Sequence, residues 1–260
     1  MTDVTRALRS AALAASVTGV ARTALRRTKP GGAGSWDRKN HAGRGVDLCP
    51  GPAAALGVAA GALAADPGTR GAALVATLAA GACGAYDDVA GAGDERRGFR
   101  AHLGALRNGE LTSGAVKLFG ISAAGLVAGA LLKERHVDRA LAGVVIAGTA
   151  HFVNLVDVRP GRAAQAVLAL GAPGLLRGSL AAAPMGAAAA VLPDDLAERG
   201  MLGDTGAHAL GAALGVAIVA GNTRAGLLAH AAGLVAAAAY GERVSAWARK
   251  DSKQAANSPV

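Results

Sequence analysis

The feature that most constrains this chain is the recurrence of apolar runs separated only by short polar stretches. Runs fall at about 7 to 25, 52 to 65, 71 to 86, 114 to 132, 138 to 154, 163 to 176, 179 to 192, 206 to 221 and 225 to 240. A soluble helix carries a polar face that returns every turn. Residues 71 to 86, GAALVATLAAGACGAY, have no such stripe. A compact soluble helical core would share the alanine content, but it would need water-facing stripes that this run lacks. The reading is an all-α, polytopic integral membrane helix bundle of about nine spans, with eight to ten allowed by the run boundaries, forming a single transmembrane domain over 1–260. Several runs are shorter than the ~20 residues a helix needs to cross a bilayer, so their helices must extend into the flanking loops.

Composition agrees. Charged residues make up 17% of the chain and aromatic residues 3%, against about 25% charged in an ordinary soluble domain. Apolar character comes from Ala, Leu and Val together with 38 Gly, residues that let helix backbones approach closely. Gly57/Gly61, Gly125/Gly129 and Gly211/Gly215 have the spacing of close helix crossings. Cys49 and Cys83 form neither a disulfide framework nor a metal-ligand spacing, and both read as small apolar fillers. The stretch from Arg6 to Arg27 begins like a signal peptide, but it runs on into Arg22 without a clear cleavage site and reads as a first span.

The net charge of +9 would suit nucleic acid on a soluble basic module. No such module is visible, and no nucleic-acid partner is expected. The segmentation puts the loops near 26–51, 87–113, 155–162 and 193–205 and the tail 241–260 on one side. That side holds 17 Lys and Arg against 6 on the other, which marks it as cytoplasmic. It also holds 14 of the 18 carboxylates. Orientation does not account for them, because Asp and Glu contribute little to topology.

Three acidic elements stand out. Tyr86-Asp87-Asp88-Val89-Ala90-Gly91 places adjacent carboxylates at the end of an apolar run. Such a pair repels unless a cation or a proton lies beside it, so it either marks a Mg²⁺ or base site or is a helix end entering solvent. Asn154 and Asp157 share a helix face where the fifth run ends, as a functional pair or as capping groups. Gly203-Asp204-Thr205-Gly206-Ala207-His208 sets a carboxylate at a helix start, where free N–H groups attract phosphate; Asp204 is alternatively a plain N-cap. Arg96, Arg97, Arg100, His102, Arg107 and Lys117 supply cations for a diphosphate or for lipid headgroups, and Lys117, just inside the fourth run, is singled out.

In this order, Asp-Asp-x-x-Gly, Lys117, Asn-x-x-Asp and Gly-Asp-x-Gly resemble the polyprenyl-phosphate N-acetylhexosamine-1-phosphate transferase superfamily, which includes the phospho-N-acetylmuramoyl-pentapeptide transferase-like enzymes of peptidoglycan synthesis. Asn40-His41-Ala42-Gly43, with Val46 and Gly51, is similar to that family's first cytoplasmic loop. The resemblance covers roughly residues 35 to 220. It implies a multi-pass enzyme of the bacterial inner membrane that uses Mg²⁺ while a polyprenyl phosphate attacks a nucleotide-activated sugar and releases UMP. It also implies that Asp87, Asp88 and Lys117 are catalytic, that Asp88 and Asp204 hold the metal, and that Asn40, Asn154, Asp157 and His208 bind substrate.

The chain departs from the family pattern in three places. Pro160 stands where a second loop aspartate is usual, Met201 where an aromatic usually stacks on uracil, and the His-rich last loop is missing. Lipid-phosphate and metal contacts are therefore expected to outlast nucleotide selectivity. A non-catalytic relative that binds polyprenyl phosphate or scaffolds an envelope-assembly complex is the alternative, and a homodimer or an envelope-assembly partner is compatible with either. A small-molecule transporter fits less well, because the charges lie in loops and not at the bilayer midplane.

Overall fold

The computed structural model describes residues 3–91, 104–110 and 112–250. These form an all-α assembly with one small β-hairpin. In chain order its helices are α1 (Asp3–Thr28), α2 (Pro50–Leu63), α3 (Pro67–Ala90), α4 (Ser113–Leu132), α5 (His136–Val156), α6 (Arg162–Gly171), α7 (Ala182–Leu196), α8 (Gly203–Ala220), α9 (Arg224–Ala239) and α10 (Gly241–Ala248). The hairpin pairs β1 (Asp37–Lys39) with β2 (Gly45–Asp47).

Local chemistry sets the helix boundaries. Asp3 lies in the first turn of α1 and Arg26 and Arg27 in its last, each opposing the helix dipole. Asp66 caps α3 by accepting from Gly68 N at 3.0 Å, with Pro67 in the first turn. Thr112 caps α4 by accepting from Ala115 N at 3.1 Å. The apolar run at 163 to 176 does not make one helix. The α-helix stops at Gly171, and Ala172–Arg177, which includes Pro173, continues as a 3₁₀ turn.

That break bears on the number of spans. Among the described residues, three helices, Ser113–Leu132, His136–Val156 and Gly203–Ala220, are long and apolar enough to cross a membrane, while α2 and α9 are apolar but shorter. At 1.5 Å per residue, α6 with its ten residues is roughly 15 Å long, about half a hydrocarbon core. Among the described residues, the apolar runs expected to form nine full spans fold into helical segments of unequal reach, three of which have the length and apolarity of a span.

Helix α8 is the axis of the bundle. Fourteen of its 18 residues are buried, and α2, α3 and α5 pack around it. Glycine makes the approach possible. A Cβ on Gly211 would lie 2.7 Å from Ala150 Cα, and one on Gly215 would lie 2.7 Å from Ile146 Cα. Gly129 meets the Arg139 carbonyl in the same way at 2.8 Å, and Gly61 meets that of Ser10 at 2.7 Å. The spaced glycines noted in the sequence therefore sit at helix crossings. Many large apolar side chains face outward: Phe119, Leu126 and Leu131 on α4, Val144 on α5, Leu228 and Val235 on α9 are all exposed.

Polar segments gather at the two ends of the bundle. At one end Arg38 Nη2 donates to the Asp88 carbonyl at 3.0 Å, Gly161 N donates to Asp195 at 3.0 Å, and β2 runs beside residues 199–201, with Met201 N donating to the Asp47 carbonyl at 2.9 Å. Ser245 on α10 reaches the Leu155 carbonyl at this same end. At the other end Arg6 pairs with Asp66 at 3.2 Å and Arg224 with Asp138 at 2.5 Å.

Candidate functional site

The first end carries the candidate site. Helix α3 remains helical to Ala90, so Asp87 and Asp88 occupy its last turn and are not in a loop. One turn into α4, Lys117 Nζ donates to Asp87 Oδ2 at 2.6 Å and also pairs with Asp204 Oδ2. Three helices that are remote in sequence thus bring two carboxylates onto one ammonium group. All three side chains are about one-fifth exposed, so the cluster borders solvent.

Asp88 turns the other way. Its Oδ1 accepts from Asp204 N at 2.9 Å, and its Oδ2 accepts from Thr205 N at 3.0 Å and from Thr205 Oγ1 at 2.6 Å. These N–H groups belong to the unpaired first turn of α8. Asp88 therefore caps α8 from a neighbouring helix, and Asp204 lies inside the first turn of α8 instead of capping it. The close seat needs Gly84, whose Cβ would fall 2.7 Å from Thr205 N.

His208 follows one turn later and is only 2% exposed. Its Nδ1 lies 2.7 Å from the Asp204 carbonyl. A carbonyl only accepts, so Nδ1 carries the proton and Nε2 is left as an acceptor. His208 is thus buried one turn into α8 and joined to the backbone of Asp204.

Asn154 lies in the last turn of α5, and its carbonyl accepts from the N–H of Asp157, the C-cap residue. Burial, together with the carboxylates of Asp195, Asp204 and Asp88, pushes the Asp157 carboxyl well above its ordinary range. These three carboxylates act on Asp157 through their charge. Asp195 was not singled out in the sequence. Burial raises its carboxyl to about 6, opposed by the hydrogen bond from Gly161 N. The available signal was Asp194-Asp195, a second adjacent carboxylate pair at the end of an apolar run.

Asp194 serves the framework. Burial opposes its charge, yet the guanidiniums of Arg199 and Arg26 hold it below the usual carboxylate range. Arg26 joins it at 2.6 Å and Asp47 at 2.9 Å, tying α1, the hairpin and α7 together. Asn40 is likewise occupied in folding. Its Oδ1 accepts from Ala42 N at 2.9 Å and Arg44 N at 3.0 Å, closing the hairpin turn, and its amide donates to Glu198. Met201 runs beside β2, and Pro160 precedes Gly161, which takes a left-handed φ of 78° at the start of α6. Arg107 is exposed. Arg96, Arg97, Arg100 and His102 lie outside the described residues.

The donor set can be tested against Mg²⁺. Among the described residues, no three His, Cys, Asp or Glu side chains are grouped as a metal site. Both oxygens of Asp88 accept hydrogen bonds from the first turn of α8. Mg²⁺ is often held by one or two carboxylates plus waters and substrate phosphates, and Asp87 with Asp204 meets that lesser requirement. Compared with known proteins, the chain matches no family model and no curated protein.

Proposed function

We propose that this chain is a multi-pass enzyme of the bacterial inner membrane that transfers a sugar-1-phosphate from a nucleotide-activated sugar to polyprenyl phosphate. The observation that carries the reading is the convergence of Asp87, Lys117 and Asp204 from three helices at one polar end of an apolar bundle. Phosphoryl transfer asks chiefly for in-line positioning and for cations on developing negative charge. Lys117 is the resident cation for a diphosphate. Asp87 and Asp204 are the residues to hold Mg²⁺, which when bound neutralises phosphate oxygens. Asp88 keeps Asp204 in register, and Asp157 and Asp195 extend the acidic wall.

A second reading is favoured by the same ammonium group. Lys117 satisfies both carboxylates, and Pro160 and Met201 replace an acid and an aromatic that uridine recognition would use. A non-catalytic polyprenyl-phosphate binder would retain this much. Calorimetry on detergent-purified protein separates the two by titrating lipid phosphate and UDP-sugars independently, with and without Mg²⁺. Mg²⁺-dependent binding of both ligands supports the enzyme, and lipid binding alone supports the binder. Lipid binding that is indifferent to Asp87→Asn and Asp204→Asn contradicts the shared site in both readings.

A further inference from the structure

We propose that α10 is an interfacial anchor whose outward Arg243 and Trp247, with Tyr240 and Lys250 flanking the helix, form a stripe that seats on anionic phospholipid headgroups beside the polar site. This rests on the membrane reading above. Helix α10 follows α9 after the single residue Tyr240. Its inner face docks on the end of α5: Ser245 Oγ donates to the Leu155 carbonyl at 2.8 Å, Ala248 is buried, and Gly241 lies against Leu155. Arg162 Nη2 adds a bond to the Lys250 carbonyl at 2.8 Å. This side of the helix is accounted for.

Among the described residues, none covers the opposite face. Tyr240 is 58% exposed and Trp247 70%. Arg243 and Trp247, four residues apart, share one face of α10, and exposed Tyr240 and Lys250 flank the helix just before its start and just after its end. The Arg243 guanidinium carbon lies 5.5 Å from the centroid of the Tyr240 ring, within cation–π range. Alternating rings and cations suit the headgroup layer, where an aromatic body meets hydrocarbon and its polar tip stays wet. Arg249 flanks the stripe and Glu242 is the one acidic residue of α10, so the charge complements an anionic surface.

Continuity decides for lipid over an acidic protein. Helix α9, which leads directly into α10, exposes Leu228 and Val235, so the apolar outer face of the bundle runs into the stripe. An eight-residue helix is roughly 12 Å long. It is too short to span and lies on the surface.

The test uses full-length protein in nanodiscs of mixed phosphatidylcholine and phosphatidylglycerol, with brominated chains on one lipid or the other. Trp36→Phe leaves Trp247 as the sole tryptophan. Brominated phosphatidylglycerol should quench Trp247 by about twofold more than the same fraction of brominated phosphatidylcholine. Combining Arg243→Gln, Arg249→Gln and Lys250→Gln should remove the preference. Equal quenching by the two lipids overturns the selection of anionic headgroups. A tryptophan placed by Leu228→Trp, with Trp36 and Trp247 changed to Phe, tests the membrane reading separately, and both lipids should quench it. Quenching at 228 with none at Trp247 overturns the anchor and points to a protein partner for the stripe. Absence of quenching at both overturns the membrane reading and the anchor with it.

Discussion

The carboxylate of Asp88, in the last turn of α3, accepts the N–H of Asp204, in the first turn of α8, at 2.9 Å. One adjacent pair of aspartates therefore divides its labour: Asp88 fixes the backbone of Asp204, and Asp87 meets the side chain of Asp204 across Lys117. Asp88→Ala is expected to cost about 1–2 kcal/mol, the range for loss of a helix cap. Thermal unfolding in detergent should show a lowered Tm, whereas Asp87→Asn should abolish function with a smaller change in Tm.

Lys117 pairs with two carboxylates that otherwise face each other. Removing it by Lys117→Met leaves them partly buried and uncompensated, and with about one-fifth exposure the expected loss is about 1–3 kcal/mol. Adding Asp204→Asn should restore part of that stability. Denaturation of the single and double variants forms the cycle that measures this coupling. Simple additivity would mean that the three groups do not act as one cluster.

Close packing at the site depends on Gly84. A Cβ there would lie 2.5 Å from the carbonyl carbon of Asp204, so Gly84→Ala forces α3 away from α8 and should cost about 1–3 kcal/mol. Gly233, in exposed α9, has nothing within 4 Å of its Cβ position. Gly233→Ala should be neutral or stabilising by up to about 1 kcal/mol. Tm measurements on the two variants check the contrast.

Asp195 gives a pH dependence of definite sign. Its carboxyl rises from 3.8 to about 6 on folding, so the folded state holds the proton more tightly than the unfolded chain. The associated stability is fully present below the unfolded value and is lost as pH rises through about 6. Asp195→Asn keeps an acceptor for Gly161 N without the charge. Its stability relative to wild type should improve between pH 4 and 6 and then level off, as read from Tm against pH.

Much of this architecture is legible in the sequence, because helices follow from local pattern. Among the described residues, the apolar runs fold as helices, although the run at 163 to 176 breaks at Gly171, the spaced glycines mark crossings, and Asp87, Asp88, Lys117 and Asp204 come together. What escaped reading depends on partners far along the chain. Nothing near Asp88 signals that it caps a helix starting 115 residues later, and Asp204 looks like its own cap until α8 is seen to begin at Gly203. The hairpin is similarly hidden, because strands of three residues, Asp37–Lys39 and Gly45–Asp47, carry too little alternation to register. Its turn is made by Asn40, whose side chain closes it through Ala42 N and Arg44 N, contacts that become visible only once the two strands are paired.

The most direct test of the transferase reading is release of nucleotide by protein reconstituted with polyprenyl phosphate, Mg²⁺ and a panel of nucleotide sugars. The account predicts Mg²⁺-dependent release with at least one donor, with weak or unusual base preference because of Pro160 and Met201. Release should be lost in Asp87→Asn, Lys117→Gln and Asp204→Asn proteins that remain folded. Release that persists in those three variants, or an absence of release with every donor from protein that binds lipid phosphate, would contradict it.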